Sequence, residues 1–305
     1  MVTSAPPVFS VVLSTRNRPN QLTTCLWALI AQDFPADAFE IIVVNDDSND
    51  ATPSVLSGLK TASGRAITVI TNPHRQGHAA SRNKGFSKAR GEFIASTDDD
   101  CVAPRTWLKA LHNHFIQDGS LAAVGGSVMT PSSNRYSQAE YLLNFSSWFP
   151  QGRIRFVTNI PTCNIAYRRK AITDHRFDED SIDIGYRDSL FNYRLHSEGK
   201  KILFDPRICM THNGVTSARA FFRKQKRFGK GFASRGHSVH GRSGKTLLQY
   251  PRLHYLHLLF VFLRCIHNRF NFYNFWSVAN LLYAGERFRV RTILASKHSR
   301  TKCAP

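Results

Sequence analysis

The first hundred residues repeat one local pattern three times: an apolar, β-branched run, then a polar turn, then an amphipathic helix pattern. The apolar runs are continuous rather than alternating, which is typical of strands buried on both faces of a parallel sheet. Strands that alternate with helices predict βαβ units, and this excludes an all-helical or all-β fold. The four predicted strands cover residues 8–14, 39–45, 66–71 and 93–95.

Acidic side chains follow two of these predicted strands. Asp46 and Asp47 come after the second strand, and Asp98, Asp99 and Asp100 come after the fourth. Ligands of such sheets bind at the carboxyl ends of the strands, so we expect these acids to share one edge. A divalent cation with oxygen ligands would offset their repulsion. A solvated acidic turn or a helix N-cap is the alternative interpretation. The chain has no Gly-x-Gly-x-x-Gly after the first strand and no P-loop, which argues against a dinucleotide fold or a P-loop NTPase.

The second half of the chain predicts shorter elements. We expect a strand over 122–129, interrupted at Gly125 and Gly126 for close backbone approach, and a helix over 136–149. Further predictions are a loop leading into a strand before residue 167, a helix beginning at 168–170, a helix over 188–198 with Gly199 as its C-cap, and a short strand over 201–204.

The net charge of +20 is concentrated in the last third of the chain. Residues 206–305 carry 19 Lys and Arg and a single acid, Glu286, whereas residues 1–150 are balanced. This asymmetry indicates a polyanionic partner for the last third, either nucleic acid or an anionic membrane face. The six cysteines are scattered without a Cys-x-x-Cys pair, as expected for a reducing cytosol, and the N-terminus has no signal-peptide pattern.

Several separated segments of the chain resemble the family 2 glycosyltransferases. These segments are residues 9–22, 40–50, 77–100, 162–169, 185–199 and 227–231. The resemblance implies the GT-A fold, with a mostly parallel Rossmann-like sheet flanked by helices. It also implies a nucleotide-sugar donor, a UDP- or GDP-sugar. On this basis we expect a catalytic domain over residues 1–232 and a basic, aromatic-rich helical extension over 233–305.

The resemblance assigns roles to the acids at the sheet edge. Asp98, Asp99 and Asp100 resemble the Asp-x-Asp motif that holds Mn²⁺ or Mg²⁺ on the donor diphosphate, with Asp98 and Asp100 as metal ligands and Asp98 and Asp99 near the donor. A divalent ion would stabilise the negative charge that develops on the leaving group. The other positions that match the donor site are Thr15, Asn17, Asp46, Asp47 and Arg82.

The catalytic base is expected at Asp188, which matches the Asp of the family's Glu-Asp pair before a helix. Arg187 stands where the family has Glu. If the two side chains met, the cation would lower the pKa of Asp188 and weaken it as a base. Arg187 could instead bind a phosphate or an acidic acceptor. An N-cap of its own helix is the alternative role for Asp188.

Three further positions keep two interpretations each. His212 matches a position that contacts the metal or diphosphate in the family, but it could be a structural histidine. Arg82 and Asn83 match an Ala-Arg-Asn stretch near the donor, but they could lie on a solvated helix face.

The basic tail combines cations with large aromatic residues. Residues 217–231 alternate the two at helix-compatible spacing, and the apolar run over 255–266 is too short and too interrupted to span a bilayer. Aromatic residues among cations suit a helix lying on anionic lipid. A helical subdomain packed on the catalytic core is the alternative.

Three hypotheses follow. The first is a metal-dependent, inverting glycosyltransferase, peripheral at the cytoplasmic face of the cell membrane, with a lipid-linked or polysaccharide acceptor. The second is a glycosyltransferase-like protein that has lost activity through Arg187. The third is a nucleic-acid-binding protein that uses the basic tail, which we do not favour because the tail has no recognisable reading motif.

Overall fold

The computed structural model describes residues 6–64, 66–179, 187–234, 259, 263 and 275–301. These residues group into two compact units. The first unit contains residues 1–129, 150–182 and 187–212, and the second contains 130–149, 183–186 and 213–305. The units divide the chain differently from the boundary predicted after residue 232, which stays a prediction about the extent of the catalytic domain.

The first unit is built on one sheet, with nine strands among the described residues. The order along the sheet is β3-β2-β1-β4-β8-β6-β9-β5, and β7 pairs with β9. The strands are β1 Phe9–Thr15, β2 Phe39–Asn45, β3 Ile67–Thr71, β4 Phe93–Ser96, β5 Cys101–Val102, β6 Leu121–Met129, β7 Arg155–Phe156, β8 Ile165–Arg168 and β9 Lys201–His212.

The parallel part of the sheet follows the sequence pattern. β1 pairs with β2 and β4, and β2 pairs with β3, all in parallel. Every residue of β1, β2 and β4 is buried, as continuous apolar runs predict. The second half of the sheet is mixed, because β8 is antiparallel to both β4 and β6, whereas β6 and β9 are parallel.

Five helices belong to the first unit: α1 Pro19–Ile30, α2 Thr52–Ala62, α3 His78–Lys88, α4 Trp107–Gln117 and α6 Arg187–Ser197. Proline occupies the first turn of α1 and of α2, where its missing N–H leaves no hydrogen bond unmade. Gly199 ends α6 with a φ of 77°, as its predicted C-cap role requires.

Two predicted elements differ from the structure. The helix expected to begin at 168–170 is a single 3-10 turn, Arg169–Ala171, because Arg168 is still part of β8. The strand expected over 201–204 continues to His212. Its second half pairs with the end of β6 after a register shift between Gly126 and Ser127, and sequence patterning does not reveal such a shift.

The second unit contains three helices within its described part: α5 Arg135–Phe145, α7 Ala218–Ser234 and α8 Phe275–Thr301. Asn134 caps α5 by accepting from the backbone N–H groups of Tyr136 and Ser137. Within the described ranges, no helix is both long enough and apolar enough to cross a membrane. Most of the apolar run over 255–266 lies outside the described residues.

Candidate active site

The polar ends of β1, β2 and β4 meet at one edge of the sheet. Thr15, the last residue of β1, lies opposite Asn45, the last residue of β2. The Asp46 N–H donates to the Thr15 carbonyl at 2.9 Å, and the Thr97 N–H donates to the Val12 carbonyl at 3.2 Å. The predicted meeting of the acidic turns at the carboxyl edge of the parallel strands is therefore present.

The three consecutive aspartates have three different environments. Asp99 is buried and accepts a hydrogen bond from the Thr15 hydroxyl at 2.8 Å. Asp98 is about one-third exposed, and its Oδ1 pairs with Arg82. Asp100 lies between Arg18 and His212. Three adjacent carboxylates are thus each given a cationic neighbour, which offsets their mutual repulsion.

Arg18 is the residue of this site that sequence reasoning missed. Its Nη1 lies 2.8 Å from Asp99 Oδ1 and 2.9 Å from Asp100 Oδ2. Burial opposes the charged guanidinium, but Asp99 and Asp100 outweigh burial and raise the pKa of Arg18. Its position in the sequence could have indicated Arg18, because it belongs to the polar turn directly after β1 and precedes Pro19, which begins α1.

Burial also distinguishes Asp99 from its two neighbours. Loss of hydration raises the pKa of Asp99 to about 6, with Asp100 and Asp98 acting in the same direction and with Arg18 and Thr15 opposing. Asp99 therefore faces the interior of the edge and ties β1, the polar turn and β4 together. Asp98 and Asp100 are left as the carboxylates with access to a ligand.

His212 lies beside Asp100 because β5 pairs with the end of β9. Cys101 is the register partner of His212, and His212 Nε2 is 3.5 Å from Asp100 Oδ1. The His212 side chain is about 5% exposed. The extension of β9 beyond residue 204 thus brings together two predicted metal ligands that are more than one hundred positions apart in the chain.

This arrangement partly fits a divalent cation. No group of three His, Cys, Asp or Glu side chains placed to hold a metal exists among the residues that the structure describes. Asp100 and His212 supply two adjacent donors, however, and Asp98 lies two positions earlier. Mg²⁺ and Mn²⁺ in nucleotide sites are commonly held by one or two carboxylates together with substrate phosphates. Two protein donors at this edge are compatible with such a shared shell.

Asp46 has a different environment from the one expected of a ligand-binding carboxylate. Its Oδ1 accepts from the Asn72 side chain at 2.9 Å and from the Gln76 N–H at 2.7 Å, and its Oδ2 accepts from the Gly77 N–H at 2.8 Å. Burial raises its pKa, but these hydrogen bonds outweigh burial and lower the pKa overall. Asp46 therefore holds the turn that leads into α3.

The turns after β1 and β2 are joined by reciprocal contacts. Asn17 and Asn49 exchange two hydrogen bonds, at 2.8 and 2.9 Å, and the Asn17 N–H donates to Ser48. Asn17 and Asp47 both have a positive φ, 54° and 58°, a conformation that Asn and Asp tolerate better than most residues. Asp47 is partly exposed next to the buried Asp46.

Arg82 and Asn83 do not lie on a solvated helix face. Arg82 is 5% exposed and Asn83 is 7% exposed. Asn83 donates to the Phe177 carbonyl and accepts from the Phe177 N–H, both at 2.8 Å, so it fixes the segment after residue 176. Arg82 directs its guanidinium to Asp98. The buried face of α3 therefore includes three polar side chains, Ser81, Arg82 and Asn83.

Arg187 and Asp188 stand at the beginning of α6. Asp188 is therefore at a helix start, as predicted. The side chains of both residues, and residues 180–186, lie outside the described part of the chain. The assignments of Asp188 as base and of Arg187 as a phosphate or acceptor contact stay predictions.

The fold and the edge together define an α/β protein with an acidic, arginine-compensated site at the carboxyl ends of parallel strands. The family model for glycosyl transferase family 2 matches residues 10–176, more than half of the chain. The chain belongs to glycosyl transferase family 2.

Named relatives and a solved structure agree with this membership. Glycosyltransferase AglE of Haloferax volcanii is 27% identical over 173 residues, which cover 57% of this chain and 56% of AglE. A Methanococcus voltae protein is 25% identical over 230 residues, covering 72% of this chain and 71% of its own length. It is named dolichyl N-acetyl-alpha-D-glucosaminyl phosphate 3-beta-D-2,3-diacetamido-2,3-dideoxy-beta-D-glucuronosyltransferase. The chain spans about half the length of several curated relatives that it matches.

The mannosyltransferase PcManGT from Pyrobaculum calidifontis, solved with GDP-Man and Mn²⁺, has the same fold. The comparison gives a TM-score of 0.59 and 20% identity, and it covers 99% of this chain and 79% of PcManGT. The predicted GT-A fold is thereby confirmed for the catalytic sheet.

Proposed function

We propose that this chain transfers a sugar from a UDP- or GDP-sugar to a lipid-linked or polysaccharide acceptor, with inversion at the anomeric carbon. The observation that carries the proposal is the pairing of Asp100 with His212, 3.5 Å apart at the carboxyl edge of the parallel strands. Asp98 and Asp100 belong to the segment that matches the family. Arg82 lies beside Asp98 and Arg18 lies beside Asp100, which offsets the repulsion between these carboxylates.

In this proposal the donor lies along the ends of β1 and β2, with its diphosphate near Asp98 and Asp100. Asp47 and Asn17 are the exposed polar groups of the two turns and could contact the nucleoside. Asp46, Asp99 and Thr15 support the donor site indirectly, because their side chains hold the turns in place. PcManGT, whose fold is similar, was solved with a nucleotide sugar, which supports a donor of this chemical class.

Asp100 and His212 would hold Mn²⁺ or Mg²⁺ together with the donor phosphates, and Asp98, the third predicted ligand, lies two positions before Asp100. When bound, the cation acts as a Lewis acid that stabilises the charge on the departing diphosphate. Arg18 now pairs with Asp100, so it has to share or release that carboxylate when the cation binds. Arg18 keeps Asp99 as a second partner, so its guanidinium would stay paired during this exchange.

Asp188 is the proposed general base. Its carboxylate takes the proton of the acceptor hydroxyl while the acceptor oxygen forms a bond to the anomeric carbon. The bond from that carbon to the diphosphate oxygen breaks, and the nucleoside diphosphate departs with the bonding electrons. A carboxylate at the start of a helix is a suitable position for this proton transfer.

The acceptor is proposed from the relatives. The Methanococcus voltae protein is named for a dolichyl phosphate-linked sugar, and this supports a lipid-linked acceptor here. An enzyme with such an acceptor would work at a membrane, and we propose a peripheral position at the cytoplasmic face.

The proposal is tested by thermal shift over a panel of UDP- and GDP-sugars, with Mn²⁺ and with EDTA. We expect at least one donor to raise the melting temperature only when Mn²⁺ is present, because a ligand that binds only the native state stabilises it. A donor at 100 times its dissociation constant should add about 2.7 kcal/mol to the unfolding free energy.

Asp100→Asn should remove this stabilisation, whereas Asp37→Asn should retain it. Asp37 is exposed and lies in the connection between α1 and β2, so it provides a matched loss of one carboxylate. Equal donor-induced shifts in both variants would remove Asp100 from the donor site.

A further inference from the structure

The outward face of α7 carries a row of cations. This cationic stripe consists of Arg219, Arg223, Lys226 and Lys230. Their spacing of four, three and four residues places them on one side of a helix. All four are exposed. The cationic stripe is therefore a continuous strip of positive charge along three turns of α7.

The opposite side of α7 is fixed against α8. Gly285 of α8 lies against the Phe221 ring, and Gly229 of α7 lies against Thr292. Gln225 accepts hydrogen bonds from the Arg289 guanidinium. Two glycines at the contact allow close approach of the helices, so α7 cannot rotate to hide the cationic stripe without losing this packing.

The two acids of this unit that the structure describes are buried and paired with cations. Glu140 of α5 is 1% exposed, pairs with Lys224 and accepts from the Val215 N–H. Glu286 is 2% exposed and lies 3.7 Å from Arg289. Glu286 is the single acid of residues 206–305. Neither α7 nor α8 therefore contains an acid that could neutralise the cationic stripe.

Aromatic side chains border this charge. Phe222 of α7 packs edge-to-face on Phe288 of α8, with ring centroids 5.4 Å apart. Phe288 is 36% exposed and Tyr283 is 47% exposed. Arg287 and Arg291 of α8 are exposed next to them in the helical sequence. The helix pair thus presents partly buried rings between two sets of exposed cations.

We propose that the α7–α8 pair docks on an anionic lipid bilayer through the cationic stripe and the partly exposed Phe288, which packs on Phe222 of α7. Rings that are apolar on one side and flanked by lysine and arginine match the boundary between head groups and acyl chains. This inference rests on the proposed lipid-linked acceptor, and it names the surface that would meet the membrane. It places the contact on α7 and the exposed side of α8.

The test is co-sedimentation of the full chain with phosphatidylcholine vesicles prepared with and without phosphatidylglycerol. We expect binding only to the anionic vesicles, weakening as salt is added, because salt screens exposed charges. Each basic residue near an anionic surface contributes about fivefold to partitioning. Replacing the cationic stripe by four glutamines should therefore weaken binding by at least about 100-fold.

The matched control replaces four exposed lysines of the first unit by glutamine: Lys60, Lys88, Lys109 and Lys170. This variant loses the same charge and should bind the anionic vesicles within a few-fold of the parent chain. A variant with Arg219→Lys and Arg223→Lys keeps both charge and fold, and it should bind like the parent chain.

Equal losses in the glutamine variant of the cationic stripe and in the control would contradict the proposal, because only net charge would then matter. So would the absence of anionic-vesicle binding by the parent chain, or tighter binding to single-stranded RNA than to vesicles at the same salt. Donor-induced thermal shifts measured on the same variants without vesicles separate this result from the proposed function, because they report donor binding alone.

Discussion

Adjacent aspartates at the sheet edge differ in what they can do. Asp99 is buried and bonded to Thr15 and Arg18, so its carboxylate serves the architecture of the edge. Asp98 and Asp100 keep more exposure, and each faces a different arginine. A buried carboxylate without such partners would be costly, which explains why Arg18 and Thr15 contact Asp99 directly.

Asp46 shows how a predicted ligand contact can act indirectly. Its three hydrogen bonds fix the start of α3, the helix that supplies Arg82 to Asp98. Replacing Asp46 should therefore disturb the donor site through the turn rather than through a lost ligand contact.

Asp46→Asn should lower the unfolding free energy at pH 7 by about 1–3 kcal/mol, because an amide nitrogen would face backbone donors. The native pKa of Asp46 is lowered, so the carboxylate's contribution is present above its unfolded value, about 3.9, and is lost as pH falls through the lower native value. The stability difference between the parent chain and Asp46→Asn, measured by urea unfolding, should shrink between about pH 5 and pH 3. A difference that stays constant over this range would contradict the role of the ionised carboxylate.

Single elements of the parallel half could be predicted because their patterns are local. β2 has the bounds that the sequence predicted, and β1, β3 and β4 differ by one or two residues. The full length of β9 could not be predicted, because residues 205–212 are held by pairing with β6 and β5, and such pairing leaves no local signal. Arg18 was missed for a similar reason, since its partners lie about eighty residues away.

The burial of polar side chains on α3 also results from contacts with residues that are distant in the sequence. From the sequence of their helix alone, Arg82 and Asn83 could lie either near the donor or on a solvated helix face. Asn83 is buried because its side-chain amide hydrogen-bonds to the Phe177 backbone. Arg82 is buried where its guanidinium pairs with Asp98. The residue types thus predicted the candidate site. Only the contacts in the folded chain distinguish its buried, structural side chains from its more exposed ones.

Substitution of a β6 glycine tests the close approach of β6 and β9. A side chain at Gly126 would overlap the Ile208 carbonyl oxygen of β9, and the backbone cannot move aside as a flexible side chain could. Gly126→Ala should lower the unfolding free energy by about 1–3 kcal/mol or more. Gly58→Ala, in an exposed and open position of α2, should instead stabilise by up to about 1 kcal/mol. Urea midpoints measure both, and equal effects would contradict the close approach of β6 and β9.

Acidic and basic side chains are concentrated in different parts of the chain. The acids proposed to act in the reaction lie in the first unit, whereas residues 206–305 hold 19 of the 41 Lys and Arg. Within the second unit, both described acids of the helices are internal partners of Lys224 and Arg289. This distribution leaves the outer cations of α7 and α8 for a partner, as the membrane proposal requires.

The central claim is sugar transfer with Asp188 as the base, and release of nucleoside diphosphate from a donor panel with Mn²⁺ tests it most directly. The parent chain should release the diphosphate from at least one donor in the presence of a lipid-linked acceptor. Asp188→Asn should lose at least about 100-fold of this rate, the lower range for general-base catalysis. Its donor-induced thermal shift should remain. Release at the parental rate by Asp188→Asn, or no release with any donor, would contradict the account.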